Sequence, residues 1–344
     1  STADMNVGDR FTYALVPGDG DADNARFEIS GDQLLTREPA DYETKPSYTV
    51  RVRSTDSGGL WVESQFVITV TNVPDSVGEI EWLQQFGGEV SPPGDDVANA
   101  VAVDTEGSSY IAGRTNNAFL GETNWGGKDA FLRKYDASGN EIWTRQFGTT
   151  GDDAASAVAV YGSQVYVVGT TTGTLPGQAN LGGDDVFLRK FDADGNQIWT
   201  RQLGSAGGDV AYGIAVEASG LYVVGSTTGT LPELTNRGGQ DAFLARFDLD
   251  GNTVWARQFG TAADESARSI AVLGPAGYLY VVGHTTGAFD GQTSSGDRDG
   301  FLCKYDGAGN EVWTRQFGTS GIEATMGVAG YYNATLASSE VYLA

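Results

Sequence analysis

Short runs of Val, Ile, Phe, Tyr and Trp, bounded by Gly, Asp and Asn, recur along most of the chain. Residues 156–160 (SAVAV), 165–169 (VYVVG), 185–191 (DVFLRKF) and 197–203 (QIWTRQL) form one set of four. β-Branched and aromatic residues between turn formers predict strands. No apolar spacing of helical period runs through them. The set then repeats. Its last tryptophan falls at Trp82, Trp143, Trp199, Trp255 and Trp313, at spacings of 61, 56, 56 and 58 residues. A fixed period of this size marks a repeat architecture. Four short antiparallel strands per period are the unit of a β-propeller blade. Runs such as VYVVG lack polar/apolar alternation, as expected of strands covered on both faces.

The pattern predicts an all-β chain of two parts. Residues 78–344 read as a β-propeller. Residues 80–87 (IEWLQQFG) match residues 141–148 (EIWTRQFG) and predict an isolated fourth-type strand. Four complete sets follow, and the tail supplies only a first and a second strand, around residues 326–331 and 340–343. Joining residues 80–87 to those two strands gives five blades, the last without its third strand. Residues 1–77 lack the repeat. Their strands, around residues 10–15, 26–30, 33–36, 47–55 and 61–71, predict a small β-sandwich, partial because its first strand is missing. Residues 74–79 (PDSVGE) are the linker.

The stretch GTTTGTLPGQANLGGDDVFLRKFDADGNQIWTRQLG resembles the bacterial SBBP-type β-propeller repeat, over roughly residues 80–344. That resemblance implies a fold and an extracellular setting more than an activity. The run LLTREPADYETKPSYTVRVRSTDSGGL, with FVITVTNVPD behind it, resembles a bacterial cadherin-like domain. This second resemblance implies Ca²⁺ held by Asp4, Glu38, Glu43 and Asp56, with Asp41 beside them. Thr36 stands where that family carries an Asp. Calcium takes roughly six to eight oxygens from loop carboxylates and carbonyls. The same acids also serve as solvated turn formers.

The net charge of −24, with a pI near 4.2, argues against nucleic acid and anionic membrane surfaces and suits cations. No run of 18 apolar residues exists, so no membrane insertion by a helix is expected. Cys303 is the only cysteine and His284 the only histidine, which excludes an internal disulfide and the usual His/Cys zinc sites. His284 aligns with Arg114, Thr170 and Ser226, a varied column expected to be exposed. Cys303 aligns with Arg133, Arg189 and Ala245. No nucleophile and base converge outside the repeat, so no enzyme is expected.

Acidic residues recur in two kinds of connection. One carries Asp95 and Asp96, Asp152 and Asp153, Asp209, and Asp264 with Glu265. The other ends in Asp129, Asp184 with Asp185, Asp241, and Asp297 with Asp299. In a propeller both connections lie on one face. Asp96, Asp129, Asp153, Asp185, Asp209, Asp241, Asp264 and Asp299 would then ring it as a cation site or as a rim for polysaccharide hydroxyls. Alternatively each caps a turn through local backbone N–H groups. On the other face, DASGN, DADGN, DLDGN and DGAGN, starting at Asp136, Asp192, Asp248 and Asp306, predict hairpin loops. The recurring Trp and Phe131, Phe187, Phe243 and Phe301 predict packing between blades, with sugar stacking as the alternative.

These features predict an extracellular, non-enzymatic structural or adhesion protein. Open strand slots invite pairing with copies of itself or with other cell-surface proteins, head to tail, into filaments or a surface layer. Trimming of a longer chain would leave the same ragged ends. Ca²⁺ would stiffen the assembly. A carbohydrate-binding propeller is the second expectation, and a polysaccharide-active enzyme with paired carboxylates the third.

Overall fold

The computed structural model describes residues 10–37, 45–69, 82–87, 95–333 and 338–344. The chain divides into two compact units, Ser1–Ile80 and Glu81–Ala344.

In the N-terminal unit, β1 (Thr12–Leu15), β4 (Ser47–Thr55) and β5 (Trp61–Thr69) form an antiparallel sheet in that order. The strands β2 (Phe27–Ser30) and β3 (Gln33–Thr36) form a hairpin. Phe27 packs edge-on against Tyr48 at 5.6 Å, and Val50 completes the buried cluster. The buried Asp23 carboxylate accepts hydrogen bonds from Lys45 Nζ and from the Thr49 N–H at 2.8 Å. Strand β5 is the outer strand, and Trp61, Phe66 and Val67 on it are exposed.

Among its described residues the second unit holds four four-stranded antiparallel sheets, each paired in chain order. Blade one is β6 (Val97–Val103), β7 (Ser109–Thr115), β8 (Asp129–Tyr135) and β9 (Glu141–Phe147). Blade two is β10 (Asp153–Tyr161), β11 (Gln164–Thr171), β12 (Asp185–Phe191) and β13 (Gln197–Leu203). Blade three is β14 (Asp209–Glu217), β15 (Gly220–Thr227), β16 (Asp241–Phe247) and β17 (Thr253–Phe259). Blade four is β18 (Glu265–Leu273), β19 (Tyr278–Thr285), β20 (Asp299–Tyr305) and β21 (Glu311–Phe317). A hairpin follows, β22 (Val328–Asn333) and β23 (Ser338–Leu343).

The D-x-x-G-N loops turn as their sequence demands. Asp192 Oδ1 accepts the Asp194 and Asn196 N–H groups at 3.0 and 2.8 Å, and Gly195 takes φ +76°. The side-chain hydrogen bond from Asn196 holds the Asp192 carboxyl below the usual carboxylate range.

These loops also join neighbouring blades. Trp143 Nε1 donates to Ala193 O at 3.0 Å, and Arg145 Nε to Gly195 O at 2.9 Å. Arg201 reaches Gly251 O, and Arg257 reaches Gly309 O, in the same way. Inside the junction, Phe147 meets Phe187 edge-on at 5.7 Å and Phe191 at 5.6 Å. Large rings thus fill the space between sheets, where offset and edge-on contacts are favoured.

Residues 82–87 carry no strand, yet they sit where a fourth strand would. Trp82 stacks on Tyr135 at 5.7 Å, and Phe86 meets Phe131 edge-on at 5.8 Å. Phe86 therefore plays toward blade one the part that Phe147 plays toward blade two. The expected pairing of this segment with the C-terminal strands is not seen among the described residues, where β22 and β23 pair only with each other. Among the described residues no third strand lies between the two to carry a ladder across.

Candidate functional site

The recurring acids occupy two registers. Asp129, Asp185, Asp241 and Asp299 open the third strands and are at most 1% exposed. Each Oδ2 accepts a backbone N–H four residues upstream, from Trp125, Leu181, Arg237 and Ser295, at 2.7–2.9 Å. Each also accepts the side-chain amide of Gln146, Gln202, Gln258 or Gln316 from the fourth strand, at 2.6–2.7 Å.

The second register opens the first strands. Asp153, Asp209 and Glu265 are equally buried. They accept the N–H groups of Thr149, Ser205 and Thr261 at 2.6 Å, and the hydroxyls of the same residues. Glu323 takes the Thr319 N–H and hydroxyl in the same manner. Sequence reasoning missed Glu323 and the four glutamines. Their signal was present, because Q-F-G-T or Q-L-G-S precedes each such acid at fixed spacing.

The two registers meet at each blade junction across a glycine. A Cβ on Gly148 would lie 2.7 Å from both Asp129 Oδ1 and Asp153 Oδ2. Gly204 stands likewise between Asp185 and Asp209, and Gly260 between Asp241 and Glu265. Burial pushes the Asp129 carboxyl up, against the hydrogen bonds from Trp125 and Gln146, and the nearby Asp153 adds to the rise. Asp209 is raised in the same way, by burial first and with Asp185 adding. The Oδ1 atoms of Asp129, Asp153, Asp185, Asp241 and Asp299 are buried without a hydrogen-bond partner. Among the described residues no group of three or more His, Cys, Asp or Glu side chains could hold a metal ion.

The expected acidic rim is therefore mostly internal. Of its eight residues only Asp264 is exposed, and Asp96 is half-buried; the other six are buried. Asp264 Oδ1 accepts the Gln240 N–H at 2.9 Å, as Asp152 Oδ1 accepts Lys128 N–H at 3.0 Å. Asp56 caps a turn through the Leu60 N–H at 2.8 Å. Asp4, Glu38, Asp41 and Glu43 lie outside the described residues.

His284 departs from its expected exposure. It is 7% exposed, because the second strand is internal to its blade and both faces are covered. Burial, with Arg268 and Arg298 nearby, lowers its pKa to about 4 and leaves it neutral at pH 7. Cys303 is fully buried, which pushes its thiol up to about 12.

An SBBP repeat is found at residues 81–119, which match the family described as a β-propeller repeat. With the four four-stranded sheets, this defines the chain as almost all-β with propeller-like blades. The regulatory protein FlaEY of Caulobacter vibrioides is 27% identical over 289 residues, which cover 70% of this chain and 28% of that protein. The chain thus spans little more than a quarter of that relative. Xylan β-1,4-xylosidase from Bacillus halodurans C-125 aligns at a TM-score of 0.37 and 14% identity, over 81% of this chain and 55% of that one. Rhamnogalacturonan lyase PL11 of Bacillus licheniformis aligns at 0.37 and 15%, over 98% of this chain and 69% of that one.

Proposed function

We propose that the chain is a non-enzymatic structural or adhesion module of the cell surface that joins copies of itself end to end. The single observation that carries this reading is the open state of the two ends of the blade stack. Val101 on β6 is 64% exposed, whereas Val158, its counterpart on β10, is 8% exposed beneath blade one. At the far end Phe317 is 41% exposed, whereas Phe147 is 7% exposed beneath blade two. Both end faces leave apolar side chains uncovered. Faces of this kind favour association with complementary strands.

In this proposal the N-terminal unit is a cadherin-like adhesion module, with β5 as a further open edge. Ca²⁺ at Asp4, Glu38, Glu43 and Asp56 stiffens it. The burial of the lone histidine and cysteine, at 7% and 0% exposed, supports a non-catalytic role, since neither side chain is open to a substrate. Polysaccharide recognition at the acidic registers is disfavoured by their burial, because a buried, hydrogen-bonded carboxylate offers nothing to a hydroxyl in solvent.

Electron microscopy of the purified chain, with and without EGTA, tests the proposal. Filaments or arrays that disperse on chelation are expected. Separate particles at high protein and calcium concentration would remove it.

A further inference from the structure

The blades repeat closely, but the junction between blades two and three departs from the others at several positions at once. At the junction before blade one, the Arg133 guanidinium lies 4.6 Å over Phe86; between blades one and two, Arg189 lies 4.2 Å over Phe147. Between blades two and three the corresponding residues are Leu203 and Ala245. Both members of the Phe–Arg pair are cut back together, whereas the next junction keeps Phe259 and loses only the arginine, to Cys303. Thr144, which donates to Glu141, becomes Ala256, and Glu141 itself becomes Thr253. The loop between second and third strands changes as well. Glu122, Gln178 and Gln292 each accept the N–H of a fourth-strand glutamine, at 3.0–3.1 Å. Leu234 takes their place in blade three and has no acceptor.

One residue is strained. Gly121, Gly177 and Gly291 hold the tip of that loop at φ +79°, +75° and +71°. Blade three puts Glu233 there, at φ +62°, the only non-glycine positive φ among the described residues. A Cβ built on any of the three glycines meets nothing within 4 Å, so the glycine is kept for its backbone alone. Glu233 is thus held in a backbone conformation that favours glycine.

All of these departures line one cavity of about 620 Å³. The matching space between blades one and two, which Arg189 and Phe147 border, is about 410 Å³. The walls of the larger cavity are apolar: Leu203, Leu231, Leu234, Ala245, Phe247 and Val254. Arg257 also borders it, but its guanidinium is spent on Ala256 O, Ala308 O and Gly309 O. The exposed Glu233 carboxylate is left as the charge at the rim.

We propose that this cavity binds a small organic cation with an apolar body, the body against the leucines and the cationic head at Glu233. Its size lies within the range of small-ligand sites, roughly 300–1,000 Å³. The site is separate from the open ends of the stack and does not depend on assembly.

Three probes with one body and different heads test this on the full chain: 4-phenylbutylamine, 4-phenylbutanol and 4-phenylbutyrate, titrated by calorimetry. The amine should bind about tenfold tighter than the alcohol, and the carboxylate weakest. Glu233→Gly should bring amine and alcohol to equal affinity. Filling the cavity with Leu203→Phe and Ala245→Arg together should weaken all three probes about tenfold or more. Ala245→Leu, a smaller change, should do the same in part if the double variant fails to fold. Absence of binding by all three probes, equal affinity for the three heads, or unchanged affinity in the filled variants would each overturn the proposal.

Discussion

Gln202 donates from Nε2 to Asp185 at 2.7 Å, and the same amide accepts the Leu175 N–H at 3.0 Å and donates to Gly173 O at 2.9 Å. One side chain of the fourth strand thus ties the start of the third strand to the loop that precedes it. The Gln146–Asp129, Gln258–Asp241 and Gln316–Asp299 pairs repeat the tie in the other blades. The buried carboxylates are held by this frame.

Gln202→Leu keeps the volume but strips three hydrogen bonds from buried or half-buried groups. It should destabilise the blade stack by about 2–4 kcal/mol, since a buried group left unsatisfied loses the full desolvation term. Urea unfolding followed by tryptophan fluorescence measures this. A loss below about 0.5 kcal/mol, the level of an ordinary surface change, would show that water replaces the amide freely.

Gly204 and Gly177 should respond differently to alanine. A Cβ on Gly204 would lie 2.5 Å from Asp185 Oδ1 and 2.9 Å from Asp209 Oδ2. Both are anchored, so Gly204→Ala should cost about 1–3 kcal/mol through overpacking. Gly177 has open space around it and φ +75°, so Gly177→Ala should cost only the left-handed conformation, about 1–2 kcal/mol. Crystal structures separate the two causes: the first variant should move Asp185 or Asp209, and the second should move nothing.

The blades were legible because the period carries the strand runs, the loop glycines and the tryptophans together. Burial of the acids was not. An aspartate at a strand start reads the same whether it faces water or a glutamine. The distinguishing feature is long-range: each third-strand Asp is followed 17 residues later by the Gln that holds it. A search for loop charges does not look that far. His284 was misplaced for a related reason. A varied column suggests a surface, yet here the variation lies inside the blade, where Ser226 and His284 are both buried. The segment at residues 82–87 was legible in its packing through Trp82 and Phe86 but not in its pairing, which needs a partner strand that residues 82–87 themselves do not encode.

The raised carboxyls set a pH dependence. Asp209 has a folded pKa above its ordinary value, so the folded state holds its proton better than the unfolded chain does. Its contribution to stability is fully present below the ordinary aspartate range and is lost as pH rises through the raised value. Asp209→Asn keeps an acceptor for the Ser205 N–H without the charge. The variant should compare best with the parent at pH 7 and progressively worse toward pH 4. The hairpin acids Asp136, Asp192, Asp248 and Asp306 run the other way, their stabilisation fading as pH falls, but they are common to both proteins and cancel. Urea midpoints for the pair at several pH values give the trend, and a constant difference would mean that folding leaves the Asp209 pKa unchanged.

Self-association should depend on the end face of blade one more than on any blade interior. Val101 and Val103 stand exposed on β6, at positions equivalent to the packed Val158 and Val160. Burying two such side chains against another copy would contribute about 1.5–3 kcal/mol each if the fit is complete. Replacing both with aspartate places charge on that face, where association would have to desolvate it. The blade itself should fold as before, since neither side chain is packed within it. Sedimentation velocity over a concentration series should then show a parent that shifts to larger species and a V101D/V103D variant that does not. A matching substitution at Ile142, which is exposed on β9 and away from the terminal faces by its blade position, should leave the parent behaviour intact. Loss of association with the Ile142 variant as well would place the contact along the outer strands instead of at the ends of the stack.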